Sequence, residues 1–127
     1  MSLRGNRIRA LGARYLFGAV AGHRALTRLD VSGNEIGASY RDNAWVPSPE
    51  GPAAIAGAIR ANDVLTSLDL SMNRLGAAGA ERVGEAVQAN VSECARRVEG
   101  PRAKPTLALR SDRRNVSSAR RRACWRR

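Results

Sequence analysis

Aromatic side chains make up only 4% of this 127-residue chain. Its apolar residues, 43% of the total, are mostly alanine, valine, leucine and isoleucine. A core has to come from many modest contacts rather than a few large rings. Histidine occurs once, at His23, and the two cysteines, Cys94 and Cys124, stand far apart with no CxxC pair. These are too few nitrogen and sulfur ligands for a zinc site, and no metal or other cofactor is implied. Two unspaced cysteines fit an intracellular setting better than a disulfide framework. No apolar run approaches the roughly 18 residues of a membrane-spanning helix. Acids are missing from the start of the chain, where six arginines precede Asp30. That is the composition of a transit peptide, unless these residues belong to a repeat. The sequons Asn90-Val91-Ser92 and Asn115-Val116-Ser117 matter only in a secreted protein.

The formal net charge of +11 is unevenly spread. Residues 1–91 hold 10 arginines and no lysine against 8 acids, whereas residues 92–127 hold 12 basic residues against 3 acids. The nucleic-acid-like charge belongs to the last part, so the two parts carry separate arguments.

What the chain has in quantity is self-similarity. Leu26-Thr-Arg-Leu29-Asp-Val31-Ser-Gly-Asn34-Glu-Ile36-Gly37 matches Leu65-Thr-Ser-Leu68-Asp-Leu70-Ser-Met-Asn73-Arg-Leu75-Gly76 at every apolar position and at Thr, Asp, Ser, Asn and Gly. Leu3-Arg4-Gly5-Asn6-Arg7-Ile8 is a shortened copy, which places the arginine-rich start inside a repeat. The step from Asn6 to Asn34 is 28. The step from Asn34 to Asn73 is 39, which is 28 plus an 11-residue insertion within Ala38–Glu50. After each asparagine comes an apolar stripe at helical spacing: Gly12, Leu16 and Val20, then Gly51, Ile55 and Ile59, then Gly79, Val83 and Val87. Ala53, Ala54, Ala56 and Ala58 are small enough to let a helix sit close to its strand.

A unit of strand, asparagine turn and helix resembles the leucine-rich-repeat family. The 28-residue period and the LxxLDLSxNxLGxxGA form are similar to its ribonuclease-inhibitor subtype, found also in NOD-like receptors and Ran GTPase-activating proteins. The resemblance covers about residues 1–90. It implies an α/β fold: a short leucine-rich-repeat solenoid with parallel strands on the concave side, helices on the convex side and a disordered basic C-terminal tail. The expected units are a partial repeat 1–25, a repeat 26–64 with the insertion 38–50, a repeat 65–91, and the tail 92–127.

The residue types have physical reasons. One strand and one helix cannot bury their apolar faces alone, and stacked copies share a core. Leu29, Val31, Leu68 and Leu70 alternate with polar residues, as in a strand with one buried face. Leu26, Leu65, Ile36 and Leu75 are expected to close the core at the strand ends. A sharp turn leaves backbone donors and acceptors without ladder partners, and a buried amide satisfies both kinds. Asn34 and Asn73 are therefore expected to form a structural ladder, with Asn6 at its edge.

The same alternation sends Arg28, Asp30, Ser32, Ser67, Asp69 and Ser71 to the outer face, with Ser2 and Arg4 at the head of the columns. Asp30 and Asp69 then stand side by side, about 4.8 Å apart. Paired carboxylates suggest acid–base chemistry, but the face is open and no nucleophile, histidine base or metal set accompanies them. The chain is expected not to be an enzyme, and this face is a candidate for a basic or hydrogen-bonding partner. The insertion holds Tyr40 and Trp45, two of five aromatics. Its Pro47 and Pro49 are expected to forbid regular structure at its end, and Pro52 suits the first turn of the following helix. Trp45 either anchors a partner or folds back over the rim.

Beyond Asn90 the repeat register is lost, apart from a faint strand-like echo at Leu107-Ala-Leu109-Arg-Ser-Asp112. Arg120–Arg122, Arg126 and Arg127 near Trp125 favour disorder. The tail reads as a nucleic-acid or anionic-surface binder, as a nuclear-localisation-type signal, or as a low-constraint extension from a misplaced gene boundary. The leading functional expectation is a protein-interaction or scaffold module using the strand face and the 38–50 insertion. Nucleic-acid binding by the tail and a GTPase-regulatory fragment are the alternatives. Ran GTPase-activating function depends on loop residues of a longer array, none of which maps here. Two full repeats without visible caps leave apolar ends, so self-association is also expected. The expected location is cytoplasmic, with nuclear as the alternative.

Overall fold

A computed structural model describes residues 1–97 and 108–110, with side chains through Asn90. In it the sequence repeat is also a repeat of backbone hydrogen bonds. Leu3 N–H donates to Asp30 C=O at 2.7 Å, and one unit on Val31 N–H donates to Asp69 C=O at 3.0 Å. Gly5 to Ser32 (3.0 Å) recurs as Gly33 to Ser71 (2.9 Å), and Arg9 to Asn34 (2.9 Å) as Gly37 to Asn73 (2.8 Å).

The elements are helix α1 (Arg9–Ala21), strands β1 (Arg28–Asp30), β2 (Ala38–Arg41) and β3 (Ala44–Pro47), helix α2 (Glu50–Ala61), strand β4 (Ser67–Asp69), helix α3 (Gly76–Arg97) and strand β5 (Ala108–Arg110). The sheet order is β1-β4-β5. β1 and β4 are parallel with Leu29 opposite Leu68, and β5 is parallel to β4 with Leu109 opposite Leu68. A crossover through α2 imposes the parallel direction on β1 and β4. On the near side of β1, Ser2 forms a single parallel bridge to Asp30. The helices pack in order, α1 on α2 and α2 on α3.

The core lies between sheet and helices. Leu29, Val31, Ile36, Leu65, Leu68 and Leu70 enter it from the strand side, and Phe17, Val20, Ile55, Ile59 and Val83 from the helices. Leu26 and Leu75 pack against its ends, half-buried. Backbones approach closely where the units meet. A Cβ on Gly51 would stand 2.1 Å from the Ile36 carbonyl oxygen, and one on Gly37 2.4 Å from that of Arg74.

Three features differ from the sequence reading. On α1 the largest buried residue is Phe17, while Leu16 of the expected stripe is only half-buried. Leu16 has the place of Ile55 and Val83, both buried between neighbouring units; among the described residues no unit precedes α1. The insertion is not irregular: β2 and β3 form an antiparallel hairpin pairing Tyr40 with Trp45. Its two turn residues, Asp42 and Asn43, take φ 51° and 60°, the left-handed pair of a type I′ turn that matches strand twist. Pro47 is tolerated at the strand's end, where no ladder donor is required of it.

Nor does regular structure stop at residue 91. α3 continues to Arg97, and β5 adds a strand where the faint echo lies. α1 stops before Gly22 and α2 before Asn62, whereas no glycine or proline follows Asn90 before Gly100-Pro101 to break the helix. The rest of the expected disordered tail, with Arg120–Arg122, Trp125 and the second sequon, lies outside the described residues.

Candidate functional site

Two rows of side chains hold the units together. In the first, Asn34 and Asn73 are buried in the turns after β1 and β4. Asn34 Oδ1 accepts from the Asn6 N–H at 2.8 Å, and Asn73 Oδ1 from the Asn34 N–H at 2.8 Å. Asn34 Nδ2 donates to Leu3 O (2.9 Å) and Val31 O (2.8 Å); Asn73 Nδ2 donates to Val31 O (2.8 Å) and Leu70 O (3.0 Å). Each amide thus satisfies carbonyls of its own turn and of the turn before. Asn6, on the exposed edge, bonds back to Leu3 and Arg4. The residues on either side of each asparagine are left-handed: Gly5 and Arg7, Gly33 and Glu35, Met72 and Arg74.

The second row was not singled out in the sequence. Asn62 is buried at the end of α2. It donates to Val20 O (2.6 Å) and His23 O (3.1 Å) of the preceding helix end and accepts from Val64 and Leu65 N–H at 2.8 and 2.7 Å. Asn90 donates to Ile59 O at 2.8 Å, engaging the amide nitrogen that glycosylation of the first sequon would need. His23 Nδ1 accepts from Leu26 N–H at 3.0 Å, as Asn62 Oδ1 accepts from Leu65. The signal was present: the steps from His23 to Asn62 and from Asn62 to Asn90 are 39 and 28, the same intervals as the units. The histidine disguised it.

The outer strand face is partly spent on its own backbone. Asp30 and Asp69 are opposite each other in register. Asp30 Oδ1 accepts from Ser32 N–H at 3.0 Å and Ser32 Oγ–H at 2.7 Å; Asp69 Oδ1 accepts from Ser71 N–H at 3.0 Å and from Ser71 Oγ–H. The Ser32 hydroxyl and N–H hold the Asp30 carboxyl below its ordinary range against the opposing effect of desolvation, with lesser help from Arg4 and Ser2. Ser32, expected on the open face, is buried at 6% exposure. The strand bends into the asparagine turn there, and the hydroxyl is drawn under Asp30. Arg28 remains exposed, and Asp30, Ser67, Asp69 and Ser71 are half-exposed.

The β2–β3 hairpin carries the two aromatics of the insertion. Trp45 is 37% exposed and Tyr40 56%. Their rings meet edge-on at 5.2 Å between centroids. The Arg74 guanidinium, from the turn after β4, lies 4.1 Å from the centre of a Trp45 ring, a cation–π distance. Trp45 is therefore held from the next unit while part of its surface stays in solvent. Pro47, Pro49, Pro52, Leu75 and Arg82 line a largely apolar cleft of about 210 Å³. That is smaller than the roughly 300–1,000 Å³ of small-molecule sites. Among the described residues no three His, Cys, Asp or Glu side chains gather as metal ligands, and no helix is long and apolar enough to cross a membrane.

A family model described as a leucine-rich repeat matches residues 23–39 and 61–84. Each match includes one strand and its asparagine turn. No curated protein matches the chain.

Proposed function

We propose that this leucine-rich-repeat chain is a non-catalytic protein-binding module of the ribonuclease-inhibitor type. In this reading it is a short solenoid that engages its partner with the β1/β4 face and the β2–β3 hairpin. The observation that carries the reading is Trp45. A tryptophan fixed by Arg74 and Tyr40, yet open on one side, offers contact area at little ordering cost, as interface anchors do. The cleft between Pro47 and Leu75 would take one apolar side chain, and Asp30 and Asp69 would meet basic or hydrogen-bonding groups.

The test compares proteins captured by the full chain with those captured by Trp45→Ala and Arg74→Ala, each checked for an unchanged fold by circular dichroism. A partner held by the hairpin is lost with Trp45→Ala and weakened with Arg74→Ala. Equal capture by all three chains refutes the reading.

The charge of residues 92–127 favours a second reading, nucleic-acid binding. The chain should not be cut at residue 91 to test it, because that severs α3 and removes β5. Replacing Arg113, Arg114, Arg120, Arg121 and Arg122 by Gln leaves the described elements intact. Under this reading the change abolishes a salt-sensitive affinity for RNA and leaves Trp45-dependent capture in place. A cytoplasmic location accompanies the first reading.

A further inference from the structure

Successive units treat one charged position differently. Glu35, just after the Asn34 turn, lies 3.7 Å from Arg9 of the unit before it, Oε2 to Nε. One unit on, Arg74 holds the position of Glu35, and Gly37 holds that of Arg9. The matched backbone bonds from Arg9 to Asn34 and from Gly37 to Asn73 fix this equivalence. The sign is inverted and the counter-charge is missing. Gly37 has no room to carry one, since a Cβ there would stand 2.4 Å from the Arg74 carbonyl oxygen. Arg74 is exposed and rests on Trp45, an uncharged ring. No carboxylate among the described residues comes within ion-pair distance of Arg74 or of Arg82.

The place of the missing charge adjoins the apolar cleft. Gly37 and Leu75, the residue after Arg74, both line it, together with Pro47, Pro49 and Pro52 and with Arg82 of α3. Three prolines stiffen its walls, so a side chain entering it orders little of the chain. No acid lines the cleft. Glu50 and Glu81, next in sequence to Pro49 and Arg82, lie outside the lining and pair with neither arginine. The cleft therefore combines an apolar seat with two cations that the fold leaves without a counter-charge.

We propose that this cleft receives an acidic peptide segment of a partner protein, with one apolar side chain seated between Pro47 and Leu75 and a neighbouring carboxylate on Arg74 or Arg82. The apolar anchor follows from the lining. The carboxylate follows from the preceding unit, where the fold itself sets Glu35 against Arg9. A nucleic-acid backbone would use the arginines and leave the apolar seat empty. The inference rests on the reading of the hairpin end as a protein-binding surface and names the chemistry that this end takes.

The probe is a library of short random peptides displayed on phage and selected on the immobilised full chain at about 0.15 M salt, where charges act over about 8 Å. The recovered peptides are expected to share an apolar residue with aspartate or glutamate close by. A fluorescein-labelled representative is then titrated by anisotropy. Arg82→Glu and Arg74→Glu should each weaken it about fivefold, the size of one partly exposed ion pair. Arg60→Glu, an equal change of net charge at an exposed site on the last turn of α2, should leave it. Glu35 holds φ 57° where Arg74 holds 53°, so glutamate suits that backbone, and unchanged melting curves verify all three folds. Selection of no peptide, or of peptides without an acid, would overturn the proposal. So would equal weakening by Arg60→Glu, which would trace binding to diffuse charge. Poly(U) RNA binding that depends on Arg82 would make the site a nucleic-acid surface and also overturn it. If Trp45-dependent capture persists beside such a result, this inference alone fails; capture indifferent to Trp45 removes the reading beneath it.

Discussion

Replacing Asn73 by aspartate changes one atom and tests the interlocked turns directly. The wild-type amide donates to Val31 O at 2.8 Å and Leu70 O at 3.0 Å, with Ser71 O at 3.3 Å, and accepts from Asn34 N–H at 2.8 Å. An aspartate keeps the acceptor and loses the donors. Two well-formed bonds are worth about 1 kcal/mol each, and leaving buried carbonyls facing an oxygen adds about 1–3 kcal/mol. The expected loss is therefore about 3–5 kcal/mol, a large part of the roughly 5–15 kcal/mol that holds a domain together. The sign with pH follows from which form the site prefers. A protonated carboxyl can still donate one bond, so the folded state raises this group above its ordinary value of about 3.9. The deficit is then smallest below about pH 4 and grows to its full size as pH rises through the raised folded value. Urea titrations followed by far-UV circular dichroism at pH 7 and pH 4, each against wild type, measure it. Equal midpoints at pH 7, or a deficit that widens at pH 4, would refute the account of the turn.

Other expectations follow from backbone geometry and charge. Met72 holds φ 57° where the equivalent Gly5 and Gly33 hold 71° and 67°, so Met72→Gly should raise stability by about 1 kcal/mol by relieving a left-handed residue; an unchanged or lower melting midpoint contradicts this. Two glycines should respond with opposite sign. Gly37→Ala drives a Cβ to 2.4 Å from the Arg74 carbonyl oxygen and should cost about 1–3 kcal/mol. Gly57→Ala, in α2 with open space around it, should gain up to about 1 kcal/mol from helix propensity. The same melts check both. The Asp30 carboxyl is held low by Ser32, so its contribution is present above about pH 4 and lost as pH falls through the lower folded value. Asp30→Asn should flatten the acid side of the melting-temperature profile, and an unaltered slope would show that the contact adds nothing.

The repeat, the parallel strands and the buried asparagines were legible because each rests on short-range pattern. Period-2 alternation selects the buried face of β1 and β4, the match between successive units pairs Asn34 with Asn73, and an amide is the side chain that both donates and accepts in a buried turn. The order of the helix stripes was readable for the same reason. The candidate site was legible in its membership but not in its arrangement. Tyr40 and Trp45 stood out by rarity, yet only the folded chain brings Arg74, which belongs to the following unit, over the indole ring.

Tertiary structure decided what depends on neighbours rather than on pattern. Ser32 alternates as an outward residue, but the bend into the turn buries its hydroxyl beneath Asp30. Phe17 sits off the expected stripe and is buried in the shared core, as Ala56 is at the equivalent position of α2, while Leu16 is only half-buried because α1 has a neighbouring helix on one side alone among the described residues. Asp42-Asn43 gave a local signal for a hairpin, and two prolines obscured it. The sequence by itself determined the unit and its period, since these follow from which side chains can be buried in strand, turn and helix. Which surfaces remain open was settled only by stacking, because exposure belongs to a residue's surroundings and identical positions in successive units have different ones.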